Sequence, residues 1–417
     1  MEQEIEKVIV DIERQTSPKV VAVVTDNARN MRSATQRIQS RRNVVGGGCS
    51  AHVLNLLMKD ICKFPSVKAV HSRAVALTRF VRDHLALLDE FKRLQEGVRR
   101  IGARARNLVL PVPTRWYSVF SCLQNVMNNR EILEKLFVSP EYEQFRDRYR
   151  GTAPRRKKLE YLMALVRDDK FWVNLALVVR LLDPIIKALK YLEADKNFVS
   201  GVYKWFRWLR YHEAFDDERL QAAGNYEKLN AIETTELQHF VREKIKNRWN
   251  YVHTNSMSIG FMLDPSTNLD DFVGKDNDKV DKQILRMAKR CNLTTTSNDP
   301  KLTAEILSFK RWKQRGGASA RDQYSQSSPR DYWGAKRSQD YPLLTRIAEF
   351  VFAIPTSSAA SERAWSIFDH IHSKRRNRLS VEKVEMLASI YINYGTIKKG
   401  EVDLARHQSC PESVEDN

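Results

Sequence analysis

Residues 19–27 read KVVAVVTDN, a continuous run of small and β-branched residues that stops at three polar ones. Without polar alternation, such a run predicts a strand covered on both faces, as parallel and mixed sheets require. Asp26 then sits at the strand's C-terminal tip, where open α/β sheets place reactive groups, and Asn27 is positioned to cap a helix through ARNMRSATQRI. A second short strand is expected over Asn43–Val45, followed by a turn at Gly46, Gly47 and Gly48. Upstream, MEQEIEKVIVDIE has a charged, helical pattern. Downstream, CSAHVLNLLMKDI (49–61) spaces Leu54, Leu57, Met58 and Ile61 as a helix, and the stretch from Val53 to about Arg100 reads as a helical pair. LVLPVPTRWYSVF (108–120) predicts a strand, a double-proline turn and a helix starting at Thr114.

From Glu131 to Arg311 the pattern is almost wholly helical, and residues 266–300 and 313–340 read as polar loops. Order returns at Pro342, which opens a helix striped by Leu343, Leu344, Ile347, Phe350 and Val351. Another helix is expected through SSAASERAWSIF (357–368), then the basic turn SKRRNRL, then a last helix with Val384, Leu387, Tyr391 and Tyr394 on one face. These apolar stripes exceed what one hairpin can bury, so they call for another domain or another subunit. Four segments are expected: an α/β part over 1–130, a helical domain over 131–335, a C-terminal helical region over 336–396 and a patternless tail over 397–417.

Composition narrows the function classes. The chain of 417 residues carries 70 Lys plus Arg against 51 Asp plus Glu, a net charge of +19, which favours a polyanionic partner such as DNA. No apolar run approaches the roughly 20 residues of a spanning helix, so a membrane is not expected as a partner. Five scattered cysteines fit reduced thiols in an intracellular compartment.

YPLLTRIAEFVFAIPTSSAASERAWSIFDHIHSKRRNRLSVEKVEMLASIYIN (341–393) closely resembles the C-terminal dimerisation region of hAT-superfamily transposases. VVTDNARNM (23–31), CSAHVLNLLMKDI and TRWYS (114–118) follow in the family's order, with weaker matches at IGFMLDP (259–265) and at Tyr332-Trp333. The resemblance implies an RNase H-like core interrupted by a large all-α insertion and completed by the dimerisation region. It also implies a nuclear location, homodimers or larger homo-oligomers, and metal-dependent DNA strand transfer by two aspartates and a glutamate that hold Mg²⁺ or Mn²⁺.

Carried over by motif, Asp26 is the second aspartate and Glu362 the glutamate, both as catalytic and metal-binding residues. No residue matches the first aspartate: only 25 residues precede Asp26, and Asp11 falls in a helical pattern. An N-terminally truncated or domesticated protein that dimerises and binds DNA without complete transposase activity is therefore the expectation. An active enzyme with a longer N-terminus and a protein-interaction scaffold are the alternatives.

Bland readings stand beside the sharp ones. Asp26 also reads as a helix cap, and Glu362 as the partner of Arg363 or Lys374. Trp116 reads as core or, with Arg115, as a DNA contact. Lys374, Arg375, Arg376 and Arg378 read as a solvated face or as phosphate contacts. Cys49 and His52 have ligand-like spacing, yet without a second pair the expectation is a structural role and no zinc. The tryptophans of YKWFRWLRYH (203–212) are expected in a helix core with Arg207 and Arg210 snorkelling out.

Overall fold

A computed structural model describes residues 1–15, 19–100, 106–112, 117–149, 152–194, 197–215, 231–336, 340–372, 379–392 and 394. The expected βαβ start is present. Helix α1 (Glu2–Gln15) precedes β1 (Ala22–Thr25), α2 (Arg29–Arg41) crosses over, and β2 (Val45–Gly48) returns parallel to β1. Ala22 pairs with Val45 and Thr25 with Gly48. Ile9 of α1, Ile38 of α2 and Val44 form a small core with Val20 and Val23, while Val21, Ala22 and Val24 pack on the main core. Both faces of β1 are thus covered, which is why its run lacks alternation.

Gly46–Gly48 form β2 rather than the expected turn. A Cβ on Gly46 would lie 2.5 Å from Thr35 Cγ2, and one on Gly48 would lie 1.9 Å from Asn27 Oδ1. Glycine is needed there for close packing of α2 and Asn27 on the strand, not for a reversal.

The remainder is helical. α3 (Ser50–Ile61), α4 (Pro65–Asp83), α5 (Leu85–Arg100), α6 (Ser118–Asn128), α7 (Arg130–Leu136) and α8 (Pro140–Arg148) are followed by α9 (Ala153–Val166), α10 (Asp169–Glu193) and α11 (Val199–Arg210). Then come α12 (Ala231–Val252), α13 (Asn255–Leu263), α14 (Asp276–Arg290), α15 (Asp299–Gln323), α16 (Pro329–Ala335) and α17 (Pro342–Phe352). The chain divides into two compact units, Met1–Thr356 and Ser357–Asn417. The second contains α18 (Ala359–Ile371) and a helix over 381–392, here α19. The described residues are mostly helical with one two-stranded sheet, so the structure supports the large all-α part of the expected fold and leaves an RNase H-like core unconfirmed.

Two further expectations are corrected. Residues 106–112 join no sheet. Their carbonyls are taken by side chains instead: Gln95 Nε2 and Asn129 Nδ2 both donate to Arg106 O at 2.8 Å, and Asn125 Nδ2 donates to Asn107 O at 3.0 Å. Most of the expected loops over 266–300 and 313–340 fall within α14, α15 and α16. α14 is polar on average, yet Val280, Ile284, Met287 and Ala288 recur at helical spacing and are all buried.

No helix among the described residues is long and apolar enough to cross a membrane.

Candidate functional site

At the tip of β1 the strand end, the start of α3 and the end of α12 are tied together. Asn27 Nδ2 donates to Cys49 O at 2.9 Å, and the Tyr251 hydroxyl donates to Asn27 O at 2.7 Å. The Arg32 guanidinium lies 4.2 Å above the centre of the Tyr251 ring, a cation–π contact that fixes α2 against α12. Arg248 of α12 holds Asp60 of α3 through Nε at 3.1 Å. Beside this anchor a cavity of about 200 Å³ opens between α2, β2 and residues 251–254.

Asp26 is exposed at this tip, and its Oδ1 accepts the Ala28 N–H at 3.2 Å, the helix-start role of the bland reading. Cys49 is fully buried, and its Sγ accepts the His52 N–H at 3.3 Å as the cap of α3. Burial pushes the His52 imidazole below its ordinary value, against the opposing pull of Asp26. Those two opposing influences mark His52 and Asp26 as neighbours.

Glu362 lies on α18 in the second unit, half-buried, and Trp365 on the same helix is exposed. Among the described residues no three His, Cys, Asp or Glu side chains gather as a metal site, and no metal-dependent step is derived. Arg115, Trp116, Lys374, Arg375, Arg376 and Arg378 lie outside the described residues.

The expected dimerisation residues separate into two groups. Leu344, Ile347 and Phe350 are buried in the core of the first unit, with Leu343 packed against it, so that stripe of α17 is not a free surface. The reason lies in α13 and α16, whose burial could not be read from α17 itself: α17 packs on both. In the second unit Val384 joins Ile371 and Ala388 in a small core, flanked by Ile367, Phe368 and Leu379. Leu387 and Tyr391 are exposed, and Met386, Ile390 and Tyr394 are exposed with them.

The sequence reading missed a buried charge cluster under IGFMLDP. Lys313 Nζ donates to Met262 O at 2.9 Å, Asp264 O at 2.8 Å and Thr267 Oγ1 at 2.6 Å. Lys204 Nζ pairs with the Asp264 carboxylate at 2.8 Å. Burial opposes the Asp264 charge, but Lys204 and hydrogen bonds from Ser266 and Ser200 outweigh it and hold the carboxyl below its usual range. Burial also pulls the Lys313 ammonium down to about 7. Trp333 Nε1 donates to Leu263 O at 2.9 Å, so the IGFMLDP and Tyr332-Trp333 motifs meet in the core.

These features define a mostly helical protein built onto a parallel βαβ unit, ending in a separate helical unit with an exposed apolar face. Residues 304–394 match the model of the hAT family C-terminal dimerisation region, and residues 2–77 match a domain of unknown function, DUF659. A segment of 69 residues is 41% identical to a Zea mays protein that carries the name AC9 transposase, covering 16% of this chain. The matched part is 8% of the maize protein's own length. These matches agree with the resemblance to hAT-family transposases and assign the likeness to a C-terminal dimerisation region to residues 304–394.

Proposed function

We propose that this protein self-associates through α19 and binds DNA through its positive charge. The observation that carries the reading is the run of exposed apolar side chains on α19, Met386, Leu387, Ile390 and Tyr391, with Tyr394 just beyond it, inside the segment matched to the dimerisation region. Apolar residues recurring at that spacing on a solvent-facing helix call for a partner surface. Light scattering tests it: the full chain is expected at twice the monomer mass at micromolar concentration, and Leu387→Asp with Tyr391→Asp at the monomer mass. A wild-type monomer would sink the reading.

DNA binding in the nucleus is supported by the net charge of +19 and by Arg155, Arg156, Lys157 and Lys158, all exposed at the start of α9. Cations at a helix N-terminus oppose the helix dipole, so their placement serves something other than helix stability. The expected affinity for duplex DNA falls steeply with salt. Cleavage stands outside this proposal. Nicking with Mg²⁺ or Mn²⁺ that disappears in Asp26→Asn would restore it.

A further inference from the structure

On α11 the core-facing residues are Val202, Tyr203, Phe206 and Leu209, all buried, with Trp205 half-buried against the same core and Trp208 exposed. This reverses the expectation of a core position for Trp208, whereas Trp205 packs against the core. They border a cavity of about 590 Å³, within the range of small-molecule sites. Trp208 is 37% exposed, and its ring stands 4.9 Å from that of Trp205, which in turn lies 5.2 Å from Tyr191.

The cavity's charges are unequal. Lys204 is committed to Asp264 and to Ser266 Oγ, and Arg207 to Asp271. Arg321 also lines the cavity, and among the described residues it has no carboxylate partner. It lies beyond a kink of α15 at Gly317, where φ is 53° and ψ is −145°. An exposed indole and an uncommitted guanidinium on one cavity suit a planar ring joined to an anion. Neither a purely apolar ligand nor a bare anion would use both.

We propose that this cavity binds a nucleoside phosphate, with the base stacked on Trp208 and the phosphate held by Arg321. Free nucleotides and unpaired nucleotides of a single strand share this chemistry. Calorimetric titration of the full chain with AMP, GMP, adenosine, inorganic phosphate and a short oligothymidylate tests it.

A mononucleotide is expected to bind, with adenosine and phosphate each about tenfold weaker or more, and with Trp208→Ala and Arg321→Ala each weakening it about tenfold. Trp208→Phe keeps a stacking ring and is expected to retain binding, which separates stacking from misfolding. Binding of the oligonucleotide alone, with the same dependence on both residues, identifies the source as a strand. Equal affinity in both alanine variants, phosphate binding as tightly as nucleotide, or no binding of any probe at millimolar concentration would overturn the proposal. Duplex DNA binding is read separately and is expected to be unchanged in Trp208→Ala, so the two readings fail independently.

Discussion

One side-chain contact ties the two strand tips beyond their backbone pairing. Gly48 leaves room for the Asn27 amide, and that amide satisfies Cys49 O. Gly48→Ala is expected to push Asn27 off this carbonyl and to cost about 1–3 kcal/mol, the usual penalty for a buried polar group left unpaired. Asn27→Ala should cost a similar amount, and adding Gly48→Ala to it should cost little more, because the clash has been removed. Chemical denaturation of the two single variants and the double variant checks this; strictly additive losses would refute the coupling.

Lys313 gives a pH signature at the same scale. Its folded value is lowered from 10.5 to about 7, so between those pH values the unfolded chain holds a proton that the folded chain has released. Stability relative to Lys313→Met should therefore rise with pH from 7 to 10.5 and run parallel below 7. Asp264 acts oppositely placed on the scale: its lowered carboxyl contributes stability above the ordinary range near 3.8, and that contribution is lost as acid protonates it. Thermal melts of both proteins across pH read the first difference directly.

Single elements were legible where their signal was local. The unbroken run at 20–24 announced β1 because covering both faces removes alternation, and α19 showed its stripe because nothing but helical periodicity was needed. Elements whose form depends on distant partners were not legible. The 106–112 segment is held by Gln95, Asn125 and Asn129 rather than by a strand, and the glycines of β2 reflect Thr35 and Asn27. The site was half readable: Asp26 and Glu362 came from motifs, whereas the Asn27–Tyr251 tie and the Lys313 cluster join residues far apart in sequence. α19 itself divides the two roles that one stripe suggested. Val384→Ala should loosen the second unit by about 1 kcal/mol, as small core truncations do, and reduce helicity. Leu387→Ala should weaken self-association, as measured by sedimentation across a concentration series, and lower helicity only in step with the monomer fraction.

At the scale of the whole chain, the two units differ in how much core they own. A continuous cluster from Val45 to Ile354 lies within the first, whereas Ile371, Val384 and Ala388 are the buried apolar group of the second hairpin. Among the described residues this cluster holds three side chains, too few by themselves to offset the ordering of a helical hairpin, since even domains near 70 residues rarely gain more than a few kcal/mol. Burying Met386, Leu387, Ile390, Tyr391 and Tyr394 against a second copy would enlarge that core, and folding would then depend on protein concentration. A fragment of residues 1–356 is accordingly expected to unfold cooperatively and remain monomeric. A peptide of residues 357–417 should gain helicity as its concentration rises from micromolar to millimolar, followed by circular dichroism. Helicity that stays constant and low across that range would mean that this unit does not fold by pairing with itself, and the full chain would then need a different explanation for any dimer seen by light scattering.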